Sequence, residues 1–234
     1  MIKANKSFIG AIASAALLAG CATTTNTPPG AVKVDYSSAF INGAKLKEVP
    51  TEVQIVKRED TGNAVAAQVG LNVLMLALGG GVAASGFSKD DLKGAPIEDV
   101  ADRRYLQNPV PTGFVQSLQA AVDARMAQDK LAQAQSFRYP LVVGGGSAQL
   151  VYDSLTGAEV PNYQLLLSLD VYKRRESNWV LPPKLVACSG RSEPAQPLAY
   201  WAEDSYRNVQ QELNRMLADC QAKVLADLPN LLEQ

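Results

Sequence analysis

The sequence contains no histidine, and it has few aromatic and charged residues. Aromatic residues make up 6% and charged residues 19% of its 234 residues. Without histidine, the chain lacks the commonest general base and the commonest metal ligand, which excludes every Ser-His-Asp and Cys-His site. The formal net charge is −1, whereas nucleic-acid binding needs an excess of lysine and arginine. We therefore expect no enzyme, no metal or other cofactor, and no nucleic acid partner.

The first 20 residues have the layout of a secretory signal. Lys3 and Lys6 form a short basic region, and residues 7–20 are uncharged with an apolar centre. This apolar run is too short for a membrane span, which needs about 20 apolar residues. It leads into Leu18-Ala19-Gly20-Cys21, which resembles the lipobox of bacterial lipoproteins. The alternative is an ordinary signal peptide with a chance cysteine at its end.

The resemblance implies that residues 1–20 are removed and that Cys21 becomes the lipidated first residue. Diacylglycerol would be attached to its sulfur atom, and a further acyl chain to its new amino group. Ala22 stands where aspartate usually retains lipoproteins of diderm bacteria in the inner membrane. The resemblance therefore implies a lipid anchor in the outer membrane and a protein that faces the periplasm. Cleavage would remove two lysines and no acid, leaving 20 basic and 23 acidic residues and a net charge of −3.

The rest of the chain divides into a tether and one folded domain. Residues 21–31 are rich in threonine and proline, which is typical of a flexible linker. We interpret residues 32–234 as a single periplasm-facing domain, because an apolar fraction of 47% suffices for a core. Cys188 and Cys220 are then an even pair in an oxidising compartment, which favours a disulfide over two buried free thiols.

An uncharged segment, residues 61–88, is the most unusual part of this domain. It has a strongly apolar centre, and small residues recur at four-residue steps, so that they share one face of a helix. One interpretation is a core helix or a helix that contacts a partner. The other is a segment that inserts into a bilayer. The residues that we expect at a contact surface are Gly70, Leu74, Leu76, Ala77 and Gly81.

The order of helices and strands predicts an α+β fold. The clearest strand covers residues 163–171, where apolar and polar residues alternate. Apolar spacing predicts a helix from Thr112 to about Ala132, and a long C-terminal helix over residues 198–227 that Pro229 would end. We expect an antiparallel sheet with helices packed on one face.

Two short motifs are candidates for ligand binding. The first, Gly144-Gly-Gly-Ser147, is better explained as a turn or bulge than as a phosphate cradle, because it lacks the Gly-Lys-Ser/Thr sequence. The second is Lys173-Arg174-Arg175, followed by Trp179. Three adjacent cations near an aromatic ring could dock an anionic headgroup, an acidic glycan or an acidic patch of a partner. The alternative is a solvated strand end.

These observations favour a non-catalytic outer-membrane lipoprotein. We expect an accessory or structural component of envelope assembly, secretion or transport, which binds an envelope protein or associates with itself. A second hypothesis is an oligomeric pore or membrane-remodelling lipoprotein that inserts residues 61–88. A third is an envelope hydrolase that uses serine or carboxylate chemistry.

Overall fold

The structure, a computed structural model, describes residues 30–46, 48–57, 94–98, 100–128, 135–153, 159–176 and 180–233. In these ranges the chain forms eight β-strands and two α-helices. The strands are β1 (Val34–Ser37), β2 (Gln54–Val56), β3 (Ala95–Pro96), β4 (Leu141–Tyr152), β5 (Asn162–Lys173), β6 (Lys184–Ala187), β7 (Gly190–Arg191) and β8 (Gln196–Pro197). The helices are α1 (Val115–Met126) and α2 (Leu198–Leu232).

The long antiparallel pair β4 and β5 forms the centre of the sheet. The two strands pair along their whole length, with one shift of register between Gly145 and Ser147. Gly146 is therefore the extra residue of a β-bulge. The side chain of Asn108 stabilises the bulge, because its Nδ2 donates to the carbonyl oxygen of Gly146 at 2.8 Å. The glycine motif thus lies inside one continuous strand and forms a bulge rather than a turn.

The short strands make the sheet mixed. The main order across the sheet is β3-β2-β4-β5-β6, and β1 also pairs with β4. β1 and β2 run parallel to β4, whereas β3, β6, β7 and β8 are antiparallel to their neighbours. The α+β class with a long C-terminal helix is confirmed, although the sheet is not antiparallel throughout. A strand of three or four residues has the same alternation in either direction, so its sequence pattern does not indicate which way it runs.

The segment before α1 becomes helical earlier than the sequence predicts. Residues Val110–Phe114 already form a wide helical turn that continues into α1, so Thr112 lies inside the turn and does not cap the helix. The Oδ1 atom of Asn108 accepts a hydrogen bond from the backbone N–H of Val110 at 3.1 Å and fixes the start of this turn. The helix then ends at Met126, short of the expected end near residue 132.

The C-terminal helix α2 is longer than predicted and contains a kink. It continues past Pro229 and ends at Leu232. A proline so close to the end of a helix removes only one backbone donor, so the last turn still forms. The backbone leaves the right-handed helical conformation at Glu203, and Asp204–Tyr206 have positive φ angles. A short helical piece is therefore joined through a left-handed turn to a long helix.

The helices pack on one face of the sheet. α2 lies along β5 and β6, and α1 contacts β1 and α2. Trp201 of α2 is buried, and its Nε1 donates to the carbonyl oxygen of Tyr163 in β5 at 3.0 Å.

Cys188 follows β6 and Cys220 lies in α2; their sulfur atoms are 2.02 Å apart, as in a disulfide. Four fully buried apolar side chains of β5 are at alternate positions, Leu165, Leu167, Leu169 and Val171, and a fifth, Leu166, is buried on the opposite face.

Some of the predicted features lie outside the described residues. They include the lipobox, Cys21, most of the tether, the whole of segment 61–88 and Trp179. The five residues expected at a contact surface, Gly70, Leu74, Leu76, Ala77 and Gly81, are all in that segment. In the part of the chain that the structure does describe, no helix has the length and apolar character that crossing a membrane requires.

Candidate protein-docking surface

The three basic residues at the end of β5 have different environments. Lys173 continues the helix-facing positions of β5, and its side chain is only 1% exposed. Its ammonium group pairs with Glu176 and lies 5.4 Å from the centre of the Phe137 ring. Arg174 is exposed and Arg175 is partly buried. Both interpretations of Lys173-Arg174-Arg175, a docking site of three cations and a solvated strand end, are therefore wrong for Lys173, because its side chain belongs to the core.

The carboxylate of Glu176 is fully engaged within the fold. It pairs with Lys173, and it accepts hydrogen bonds from the backbone N–H groups of Arg138 and Tyr139 at 3.1 and 3.3 Å. These contacts hold the segment before β4 against the end of β5. Because these contacts occupy its carboxylate, Glu176 does not neutralise Arg174 and Arg175, the two arginines that precede it in the sequence.

Two arginines stack on one tyrosine at this end of the sheet. The guanidinium carbons of Arg138 and Arg174 lie 5.4 and 5.5 Å from the centre of the Tyr139 ring. Both arginine side chains are exposed, and neither forms an ion pair with an acid among the described residues. A cation–π contact uses none of the N–H groups of a guanidinium, so each of these groups can bind a carboxylate through two hydrogen bonds.

Arg175 adds a third guanidinium to the same region. Its Nε donates to the carbonyl oxygen of Pro182 at 3.2 Å. Arg175 also interacts electrostatically with Glu233, because the pKa of the Glu233 carboxyl is lowered mainly by Lys184 and to a lesser extent by Arg175. Glu233 is already paired with Lys184, at 2.5 Å from its Nζ. We refer to the three exposed or partly exposed residues as the arginine cluster: Arg138, Arg174 and Arg175.

Strand β6 adjoins the arginine cluster and has an open edge. Among the strands that the structure describes, it is the last in the sheet order and pairs only with β5. The backbone N–H of Cys188 donates to the carbonyl oxygen of Leu169 at 3.1 Å, and in an antiparallel ladder every second residue points the same way. The backbone groups of Leu185 and Ala187 therefore point away from the sheet. None of the described residues hydrogen-bonds them.

Exposed apolar side chains are concentrated beside this edge. Five large apolar side chains are exposed among the described residues, and three of these five lie between residues 180 and 185. Val180 is 72% exposed, Leu181 46% and Leu185 42%. Isolated exposed apolar residues are ordinary, but a group of them next to unpaired strand backbone is typical of a surface that another chain covers.

The remaining candidate motifs have structural contacts. The hydroxyl of Ser189 accepts from the backbone N–H of Leu169 at 2.9 Å and donates to its carbonyl oxygen at 3.1 Å. A Cβ atom at Gly145 would lie 2.1 Å from the ring of Phe40. The space beside this glycine, which a phosphate cradle would need for its ligand, is therefore occupied by the protein's own side chain. Within the described ranges, no group of three acidic or cysteine side chains could hold a metal ion.

Sequence reasoning identified only part of this surface. It selected Arg174 and Arg175, but it did not associate them with Arg138, Tyr139 or Leu185. The association depends on the register of β4 with β5, in which the first residue of β4 pairs with the last residue of β5. Recognising residues 141–173 as one hairpin would have brought Arg138 and Arg174 to the same end of the sheet.

Comparison with known proteins gives no relative for this chain. It matches no protein-family model, no curated protein and no solved structure. The function of the surface must therefore be argued from its own residues and contacts.

Proposed function

We propose that this protein is a lipid-anchored, non-catalytic binding component of a bacterial cell envelope. Its anchor is Cys21 in the outer membrane, and its α+β domain faces the periplasm. There it assists envelope assembly, secretion or transport by docking another envelope protein. The lipobox supports the anchor, and the proximity of Cys188 and Cys220 suits an oxidising compartment.

The observation that carries the binding function is the arginine cluster. Arg138 and Arg174 both lie over the ring of Tyr139, Arg175 follows Arg174 in the chain, and none of the three forms a salt bridge with an acid that the structure describes. The mature chain would have a net charge of −3, so the positive charge of the arginine cluster is a local feature and does not follow from the overall composition. Charge that is not used within the fold is available for a partner of opposite sign.

The anchor is tested by replacing the lipidated residue. The full-length protein and the variant Cys21→Ser would each be produced in a diderm bacterium, and its membranes separated by density. We expect the unchanged protein in the outer-membrane fraction and the variant outside it. Equal distribution of the two proteins would overturn the anchor.

The binding function is tested by photocrosslinking in the intact envelope. A photoreactive amino acid would replace Leu181, which lies in the exposed apolar group, and Arg125, which is exposed on α1, as the matched control. We expect one discrete adduct from position 181 and none from position 125. If neither position gave an adduct, and a scan of the remaining exposed surface gave none either, the binding function would be overturned.

A further inference from the structure

We propose that β6 receives an extended, acidic segment of an envelope protein as an additional strand of the sheet. This inference rests on the proposed function and names the partner of the same surface. It combines three features that lie together: the open edge of β6, the exposed apolar group at residues 180–185, and the arginine cluster.

The backbone of β6 determines the shape of the partner. Leu185 and Ala187 each present an N–H and a C=O group away from the sheet, and these groups repeat every second residue. An extended chain is the structure that supplies donors and acceptors at the same spacing, which is the basis of strand addition. A helix cannot do this, because its backbone groups are used internally.

The side chains determine the chemistry of the partner. Leu185 lies in the middle of the edge, so the inserted segment would place apolar residues beside it. The arginine cluster lies at the Lys184 end of β6, because residues 174 and 175 follow the partner of Lys184 in β5. The partner should therefore carry glutamate or aspartate at that end. At the opposite end Asp170 pairs with Ala187, which disfavours acidic residues there.

Two other occupants fit these features less well. Anionic lipid would satisfy the arginines, but it has no regular backbone to pair with Leu185 and Ala187. A second copy joined through β6 in the antiparallel sense would bring the Lys184 end of one strand to the Ala187 end of the other. Each copy's Asp170 would then approach the arginine cluster of the other copy, but Asp170 already accepts a backbone hydrogen bond from Ile41 and is partly buried. An acidic segment of a different protein satisfies all three features.

The test uses mature lipidated protein in neutral detergent and a defined peptide probe. The probe is a fluorescein-labelled peptide of ten residues, in which three glutamates precede alternating valine and threonine. Its control has lysines in place of the glutamates. Binding is measured by fluorescence anisotropy, and the amide hydrogen exchange of the protein is followed by NMR. Vesicles of anionic phosphatidylglycerol, compared with vesicles of neutral phosphatidylcholine because the lipid anchor inserts into both, test anionic lipid as the occupant. Light scattering of the protein alone tests a second copy.

Matched variants separate the backbone contribution from the side chains. Leu185→Pro removes an outward N–H, which an edge strand tolerates, while Leu185→Thr changes the side chain and keeps the N–H. The double variant Arg138→Glu/Arg174→Glu reverses the charge of the cluster, and Arg125→Glu makes a single reversal on the α1 surface. Arg125 forms no ion pair within the described residues, so it is a control for the effect of net charge.

We expect the acidic probe to bind and the lysine probe not to bind, with slower exchange of the amides of Leu185 and Ala187. Leu185→Pro should weaken binding about tenfold more than Leu185→Thr, since only proline removes the backbone donor. The cluster reversal should weaken binding by about tenfold or more, and Arg125→Glu by less than about twofold.

Several results would overturn the inference. These are equal binding of both probes, unchanged exchange at the two amides, preferential binding of anionic over neutral vesicles without binding of the probe, or a dimer that Leu185→Pro dissociates. If the envelope crosslinks arise only from another face of the protein, the proposed function stands and this inference fails. If no crosslink arises anywhere, the proposed function itself fails.

Discussion

Glycines in β4 allow other parts of the chain to contact the strand backbone directly. A Cβ atom at Gly145 would be 2.1 Å from Cε1 of Phe40, and one at Gly146 would be 2.5 Å from Cγ1 of Val110. Both glycines also have positive φ angles, which other residues adopt only at a cost. The glycine run therefore serves close packing around the bulge and is part of the core.

The substitution Gly145→Ala tests this packing. It should lower the free energy of unfolding by about 3 kcal/mol or more, because a left-handed backbone with a Cβ and an overpacked contact each cost about 1–3 kcal/mol. The matched control is Gly43→Ala, which has a similar φ of +84° but nothing within 4 Å of the new Cβ. Its loss should be about 1 kcal/mol. Equal losses in denaturant titration would contradict the packing role.

Asp170 predicts a specific pH dependence of stability. Burial raises the pKa of its carboxyl group, although a hydrogen bond from the backbone of Ile41 opposes the shift. A raised pKa in the folded state means that folding favours the protonated form. The associated stability is present below the unfolded pKa and is lost as the pH rises through the folded pKa.

Asp170→Asn should therefore be more stable than the unchanged protein at pH 7, since an asparagine oxygen can still accept from Ile41. The advantage should shrink as the pH falls through the acidic range, when Asp170 becomes protonated. Thermal unfolding between pH 3 and pH 7 measures this difference. A difference in stability that stays constant over that range would show that ionisation of Asp170 is not its cause.

At the scale of elements, the Cys188–Cys220 pair connects the end of β6 to the middle of α2. A bond between residues 32 positions apart restricts the unfolded chain, and the loop-entropy estimate of its stabilisation is about 2–4 kcal/mol. Reduction should lower the free energy of unfolding by that amount. The double variant Cys188→Ala/Cys220→Ala should be insensitive to reductant. Identical unfolding curves of the unchanged protein with and without reductant would contradict a disulfide.

The left-handed turn in α2 predicts opposite effects of one substitution at two places. Ser205 has a φ of +59°, so Ser205→Gly should relieve backbone strain and raise the unfolding free energy by about 0.5 kcal/mol. Ser117→Gly in the regular helix α1 should lower it by about 1 kcal/mol, partly because its hydrogen bond to Gln221 is lost. Loss of stability in both variants would argue against the strained turn.

The periodicity of apolar residues predicted the long strand β5 and the long helix α2, because each of them buries one face against the core. The alternation in residues 163–171 and the apolar stripe after residue 206 both describe surfaces that face the core. The turn at Asp204–Tyr206 could not be predicted, since serine and aspartate favour turns but are also common on the exposed faces of helices, and the apolar stripe continues on both sides of them. Arg207, next to the turn, pairs with Asp204 and stacks on Tyr105.

At the scale of the whole molecule, the candidate surface was predictable only in part. The same alternation that buries Leu169 and Val171 also turns Lys173 inward, so its burial could have been predicted from the sequence. The contribution of Arg138 and Tyr139 could not be predicted without the pairing of β4 with β5. The open edge of β6 required the order of strands, which no local pattern specifies.

The charge of the molecule is uneven, and in the proposed function this unevenness would decide how a partner approaches. The mature chain would be mildly acidic overall, yet the arginine cluster is concentrated at one end of the sheet beside the open edge. In the proposed function, a lipid anchor would keep this surface within the periplasm, and a flexible tether of residues 21–31 would let it reach partners above the membrane. In this proposal, binding of an envelope protein depends on the location that the lipid anchor would provide.

The most direct test of this account is the intact mass of the protein purified in detergent from the envelope of a diderm bacterium. We predict a chain that begins at Cys21 and carries the added mass of a diacylglycerol group and one further acyl chain. Fragmentation should place both additions on Cys21. A mature chain that begins at another residue, or an unmodified Cys21, would contradict the lipid anchor and with it the proposed function.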